Sequence, residues 1–83
     1  MRVDKFLKVS RILKRRSVAN AAADSERVFV NGRAVKPAYR LKIGESVRVE
    51  LGKGTISFVV KSLNEKAGKD EAATLYEVIN NSN

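Results

Sequence analysis

The apolar residues of this chain change period once, between residues 24 and 28, and that change limits it to a few folds. Upstream, Val3, Phe6, Leu7, Val9, Ile12 and Leu13 recur at spacings of three and four, the signature of a helix with one buried stripe. We expect a first helix over residues 3–12. Arg2, Lys5, Lys8 and Arg11 fall off its stripe, toward solvent. Asp4 sits in its first turn, where a carboxylate complements the helix dipole, and we read it in that role rather than as a functional carboxylate. After the basic run Lys14-Arg15-Arg16, Ser17 is the expected N-cap of a second helix over 18–24. Val18, Ala21 and Ala22 would form its inner face, with small side chains that let two helices approach closely.

Downstream the pattern becomes one of strands. Val28-Phe29-Val30 and Arg33-Ala34-Val35 flank Asn31-Gly32, a strong hairpin signal because both central residues of a type I′ turn need positive φ. Lys36-Pro37 ends the second strand, since proline cannot donate to a ladder. Residues 38–43 read as a loop anchored by Leu41 and Ile43, followed by a turn at Gly44-Glu45. Val47, Val49 and Leu51 alternate with polar residues, as do Ile56, Phe58 and Val60 across Gly52-Lys53-Gly54, which predicts a second hairpin. Residues 64–70 form a polar loop, 70–74 one helical turn capped by Asp70, and 76–79 a last strand or a continued helix. Residues 80–83 are expected to fray. The fold class is therefore α+β, with two short N-terminal helices packed on a small, mostly antiparallel sheet. We expect residues 1–83 to form a single domain with a core motif over about 2–51 and C-terminal strands and a short helix over 52–79.

Composition narrows the function. With 83 residues, 43% of them hydrophobic, the chain has a globular composition but little room for a catalytic domain. It has no cysteine and no histidine. Thiolate or imidazole zinc sites, Ser/His and Cys/His nucleophile pairs and imidazole acid–base chemistry are thereby excluded. No pair of carboxylates is spaced for acid–base work, and no glycine-rich phosphate loop precedes a helix. We expect no enzyme, no cofactor and no metal. No signal peptide or membrane-spanning apolar run is present, so the cytoplasm is the expected compartment.

The charge is +8, and it is segregated. Residues 1–44 carry 12 basic and 3 acidic side chains, net +9, whereas residues 45–83 carry 5 basic and 6 acidic, net −1. A basic surface built by one part of a fold suits a polyanion. The candidate RNA-binding residues are Arg2, Lys5, Lys8, Arg11, Lys14, Arg15, Arg16, Arg33 and Lys36, with Arg40 and Lys42 as weaker members. Three adjacent cations at 14–16 repel one another unless an anion sits nearby. Phe6, Phe29 and Phe58 are assigned to the core, Tyr76 to packing, and Tyr39 is a weak candidate for base stacking. With so few aromatic residues, recognition of structured RNA by shape and phosphate fits better than reading of unstacked bases. A DNA-reading helix-turn-helix is a poorer reading, because the second helix offers only Asn20 to base edges.

Several blocks, in this order and spacing, resemble the αL RNA-binding motif family first described in small-subunit ribosomal protein S-four. They are Arg2-Val3-Asp4-Lys5-Phe6-Leu7, Arg11, Lys14-Arg15-Arg16-Ser17, Val28-Phe29-Val30-Asn31-Gly32-Arg33, Lys36-Pro37 and Ile43-Gly44-Glu45. The resemblance implies that two basic helices and the adjoining hairpin clasp structured RNA. The short length, the opening residues 1–11 and the ending residues 71–76 look most like stand-alone members that act in ribosome-associated quality control. That likeness implies binding to stalled large ribosomal subunits. The implied partners are large-subunit rRNA, peptidyl-tRNA and the tail-elongating factor RqcH, with the chain supporting alanine tailing and performing no chemistry itself. A general structured-RNA, ribosome-assembly or heat-shock factor is the alternative. No long hydrophobic seam suggests an obligate dimer, so a monomer is expected. The family usually has glycine where this chain has Glu26, and a left-handed backbone there would cost a glutamate about 1 kcal/mol.

Overall fold

Two helices lie on one face of a five-stranded antiparallel sheet in the computed structural model, which describes residues 1–80. The elements are α1 (Val3–Val9), α2 (Arg16–Asp24), β1 (Val28–Val30), β2 (Arg33–Ala34), β3 (Ser46–Leu51), β4 (Gly54–Val60), a 3₁₀ turn (Ala72–Leu75) and β5 (Tyr76–Asn80). The strand order is β2-β1-β3-β4-β5. Residues 76–79 are thus strand, and so is Asn80, which was expected to fray; the fraying expected of residues 81–83 lies outside the described residues. No helix among these residues is long and apolar enough to cross a membrane.

The core is the product of two periods meeting. Val28, Val30, Val47, Val49, Phe58 and Val60 point to the helix side and are 0–3% exposed, as are Val3, Phe6, Leu7, Ala19 and Ala23 from the helices. Phe6 stacks on Phe58 at 5.8 Å between ring centroids, and Tyr76 meets Phe58 edge-on at 5.4 Å, an arrangement that adds to the burial of the rings. At the first hairpin Asn31 and Gly32 both have positive φ, 51° and 86°, as a type I′ turn requires.

Five local expectations need correction, the first being that the helical turn near the C-terminus is Ala72–Leu75 rather than 70–74, with Glu71 and not Asp70 at its N-cap and no side-chain cap bond. Helix α1 stops at Val9 rather than at residue 12. Ser10 is its C-cap, and Arg11 follows in the left-handed region at φ 65°. Ile12 and Leu13 still pack against the core because the chain folds back, with the Leu13 N–H donating to the Leu7 carbonyl at 3.0 Å. Helix α2 begins at Arg16 with Arg15 as an extended N-cap and no side-chain cap bond, so Ser17 lies within the helix and caps nothing. Packing against α1 and the sheet buries Ala19 and Ala23 rather than the expected face, leaving Ala21 exposed and Val18 48% exposed. Leu41 anchors its loop, but Ile43 is 65% exposed. Finally, Phe29 belongs neither to the core nor to the apolar side chains packed on it. In β1 it alternates with two buried valines and therefore faces away from the helices.

Glu26 has φ 61°, the left-handed conformation that its place before the first strand suggested. Its N–H donates to the Ala23 carbonyl at 3.0 Å and the Arg27 N–H to the Ala22 carbonyl at 2.9 Å, so the turn is held from both sides. We expect Glu26→Gly to stabilise the chain by about 1 kcal/mol, read as a higher urea midpoint with an unchanged slope.

Candidate nucleic-acid interface

The candidate site is organised by an acid. Asp4 is 1% exposed, and its carboxylate accepts five hydrogen bonds. Arg2 Nε and Nη2 donate at 3.2 and 3.1 Å, the Lys5 backbone N–H at 2.7 Å, Arg16 Nη2 at 3.4 Å and Asn20 Nδ2 at 3.2 Å. Burial pushes the Asp4 carboxyl up. The hydrogen bonds from Asn20 and Arg16 and the charges of Arg16 and Arg2 outweigh it and hold the group below its ordinary value of 3.8. A buried carboxylate so satisfied keeps its charge. It joins the start of α1 to the first two turns of α2, and it fixes two guanidinium groups while leaving their outer faces free. The side chains of Arg2 and Arg16 are 42% and 46% exposed.

These side chains line an open cleft of about 460 Å³ with Ser17 and Asn20. Backbone pairing brings a further segment to its edge. Arg2 forms a β-bridge with Arg40, the Val3 N–H donates to the Tyr39 carbonyl at 2.7 Å, and the Asp4 N–H to the Pro37 carbonyl at 3.4 Å. Lys36 and Arg40 are thereby placed beside the N-terminus of α1. Of the residues singled out in the sequence, Arg2 and Arg16 meet at one carboxylate. Lys5 instead pairs with Glu65 at 2.6 Å, which keeps that acid below the usual carboxylate range. Lys8, Arg11, Lys14, Arg15, Arg33, Lys36, Arg40 and Lys42 are exposed, and none of their side chains forms an ion pair among the described residues. Arg33 lies on the short edge strand β2, opposite Val30. Lys8, Arg11, Lys14 and Arg15 share no hydrogen bond with the Asp4 cluster.

Three side chains differ from their expected roles. Asp4 is the hub of the site rather than only a helix-start charge. Asn20, the residue left for base-edge reading, donates its amide to Asp4 and is already engaged. Tyr39, the stacking candidate, packs against the core, and its hydroxyl donates to Glu45 at 2.6 Å. The signal for the hub was present but silent: a lone acid among seven cations in residues 2–16.

We expect Asp4→Asn to lower stability at pH 7 by about 1–3 kcal/mol, because the new amide cannot accept from both arginines and Asn20 at once. The sign with pH follows from the depressed carboxyl. Its contribution is complete above the unfolded value near 3.8 and is lost as pH falls through the lower folded value. Urea midpoints measured from pH 7 to pH 3 should therefore drop at the acid end more steeply for the wild type than for Asp4→Asn.

The sequence and fold agree with known proteins. Residues 1–47 match the S4 domain family. The RQC P-site tRNA stabilizing factor of Bacillus subtilis is 39% identical over 95% of this chain and 92% of its own, and that of Streptococcus pneumoniae is 42% identical over 95% and 90%. Heat shock protein 15 of Escherichia coli is 30% identical over 93% of this chain and 59% of its own. The solved trimeric structure of Vibrio cholerae heat shock protein 15 superposes with a TM-score of 0.87 at 28% identity, over 95% of this chain and 81% of that one. The chain belongs to the S4 domain family, and nearly its whole length is shared with the members named RQC P-site tRNA stabilizing factors.

Proposed function

We propose that this chain is a non-enzymatic RNA-binding factor that holds peptidyl-tRNA in the P site of stalled large ribosomal subunits, against large-subunit rRNA, while RqcH extends the nascent chain with alanine. The observation that carries this reading is the pair of arginines, Arg2 and Arg16, held at one buried carboxylate with their outer faces free. An arginine fixed before its ligand arrives loses less freedom on binding, and its planar fork meets phosphate through two hydrogen bonds. Lys8, Arg11, Lys14, Arg15, Arg33 and Lys36 extend the positive surface along which a folded RNA backbone lies, and Lys5 exchanges Glu65 for phosphate. The names of the relatives give the biological setting, and the net +9 of residues 1–44 supplies the affinity. The proposal takes one copy of the chain per subunit in the cytoplasm. The likeness to heat shock protein 15 favours a second reading, a heat-shock or assembly factor for structured RNA.

A sucrose gradient of tagged protein from cells with stalled translation separates the two. We expect sedimentation with large subunits that hold peptidyl-tRNA, and movement of Arg16→Ala and Arg2→Ala to the top of the gradient. Sedimentation with small subunits would refute the proposal, and equal affinity for free rRNA fragments and loaded subunits would favour the second reading. In binding titrations with loaded large subunits, each variant should flatten the slope of log K against log salt by about 1.

A further inference from the structure

The sheet has a second face, turned away from the helices and from the Arg2–Arg16 cleft. Across it, cross-strand register aligns Ala34, Phe29, Arg48 and Ser57 in one row over four strands. Phe29 is the one phenylalanine outside the core and its packed surroundings. The Arg48 guanidinium lies over its ring, 4.2 Å from the centroid. Arg48 is itself exposed and leans toward Glu50 at 3.6 Å, with both side chains 47% exposed. Around the ring lies a shallow hollow of about 100 Å³, bounded also by Gly32, Ser46, Val47 and Ser57.

We propose that Phe29 and Arg48 form a stacking site for one unpaired nucleobase of an RNA strand. A π-face on an interior strand, turned away from the helices and with a planar cation close by, is the chemistry that holds single bases. Arg48 lifts from the ring and lies over the far side of the base, so that the base is sandwiched. Ser46 and Ser57 offer hydroxyls to base edges, and the arginine charge meets the adjoining phosphate. The hollow is too small for a protein segment, and the positive charge of the chain selects a polyanion. The site is separate from the cleft, so one chain engages two RNA elements on opposite sides. It does not depend on the ribosomal reading above.

The probe is a single-stranded RNA of about eight nucleotides carrying one central 2-aminopurine, whose fluorescence is quenched by stacking. We expect saturable quenching by the wild-type chain. Phe29→Tyr should retain it and Phe29→Leu should lose it, with affinity lower on the order of tenfold. Arg16→Ala should keep the full quenching amplitude, which separates this site from the cleft. Thermal unfolding by circular dichroism checks that both Phe29 variants are folded; if Phe29→Leu is not, Arg48→Ala replaces it and should weaken binding. Quenching by Phe29→Leu equal to that of the wild type would overturn the proposal. So would equal competition by a fully paired duplex. No quenching by the wild type would also overturn it.

Discussion

A carboxylate removed from water needs compensation, and in this chain the compensation determines the geometry of the candidate site. Stripping solvent from Asp4 costs several kcal/mol unless every lone pair is engaged. Five donors engage it, from residues 2, 5, 16 and 20. The two donated from α2, by Arg16 and Asn20, are lost if α1 and α2 shift against each other. The acid therefore locks the helix pair, and it turns two long, flexible cations into fixed ones. The positive cleft exists because a negative charge lies beneath it.

The sheet serves the site differently. Its inner row of valines and Phe58 holds the helices at a set height, and the N-terminal segment is tied to residues 37–41 by backbone hydrogen bonds. The near-neutral second half, from β3 onward, completes this platform. It also supplies Glu65, which holds Lys5 by an exposed and therefore weak ion pair. Charge segregation along the sequence thus becomes a division of labour: basic residues present a surface, and the strands that follow give it something rigid to rest on.

Much of this is legible in the sequence. The Asn31-Gly32 turn, the alternation in residues 46–51 and 55–60 and the helical spacing from Val3 were each strong local signals, and each appears in the fold. Phe29 was misplaced because its run, Val28-Phe29-Val30, is apolar throughout. A strand of three residues shows no alternation when all three are hydrophobic, so its inward side is decided by neighbouring strands. The start of α2 is not legible because Ser17 resembles a cap while the chain enters the helix at Arg15 without one, and its buried face is set by packing against α1 and the sheet. Asp4 was read by its place in the helix, since its partners Arg16 and Asn20 stand 12 and 16 residues away.

The sequence by itself determined the order of helices and strands, the apolar residues available for a core and the half of the chain that carries the positive charge. Those properties follow from side-chain period and charge, which act over a few neighbouring residues. The tertiary structure decided which carboxylate is buried, which two arginines it gathers and which aromatic ring is left facing outward. Such choices depend on contacts between segments distant in sequence, and burial acquires its energetic meaning only when those segments close over one another.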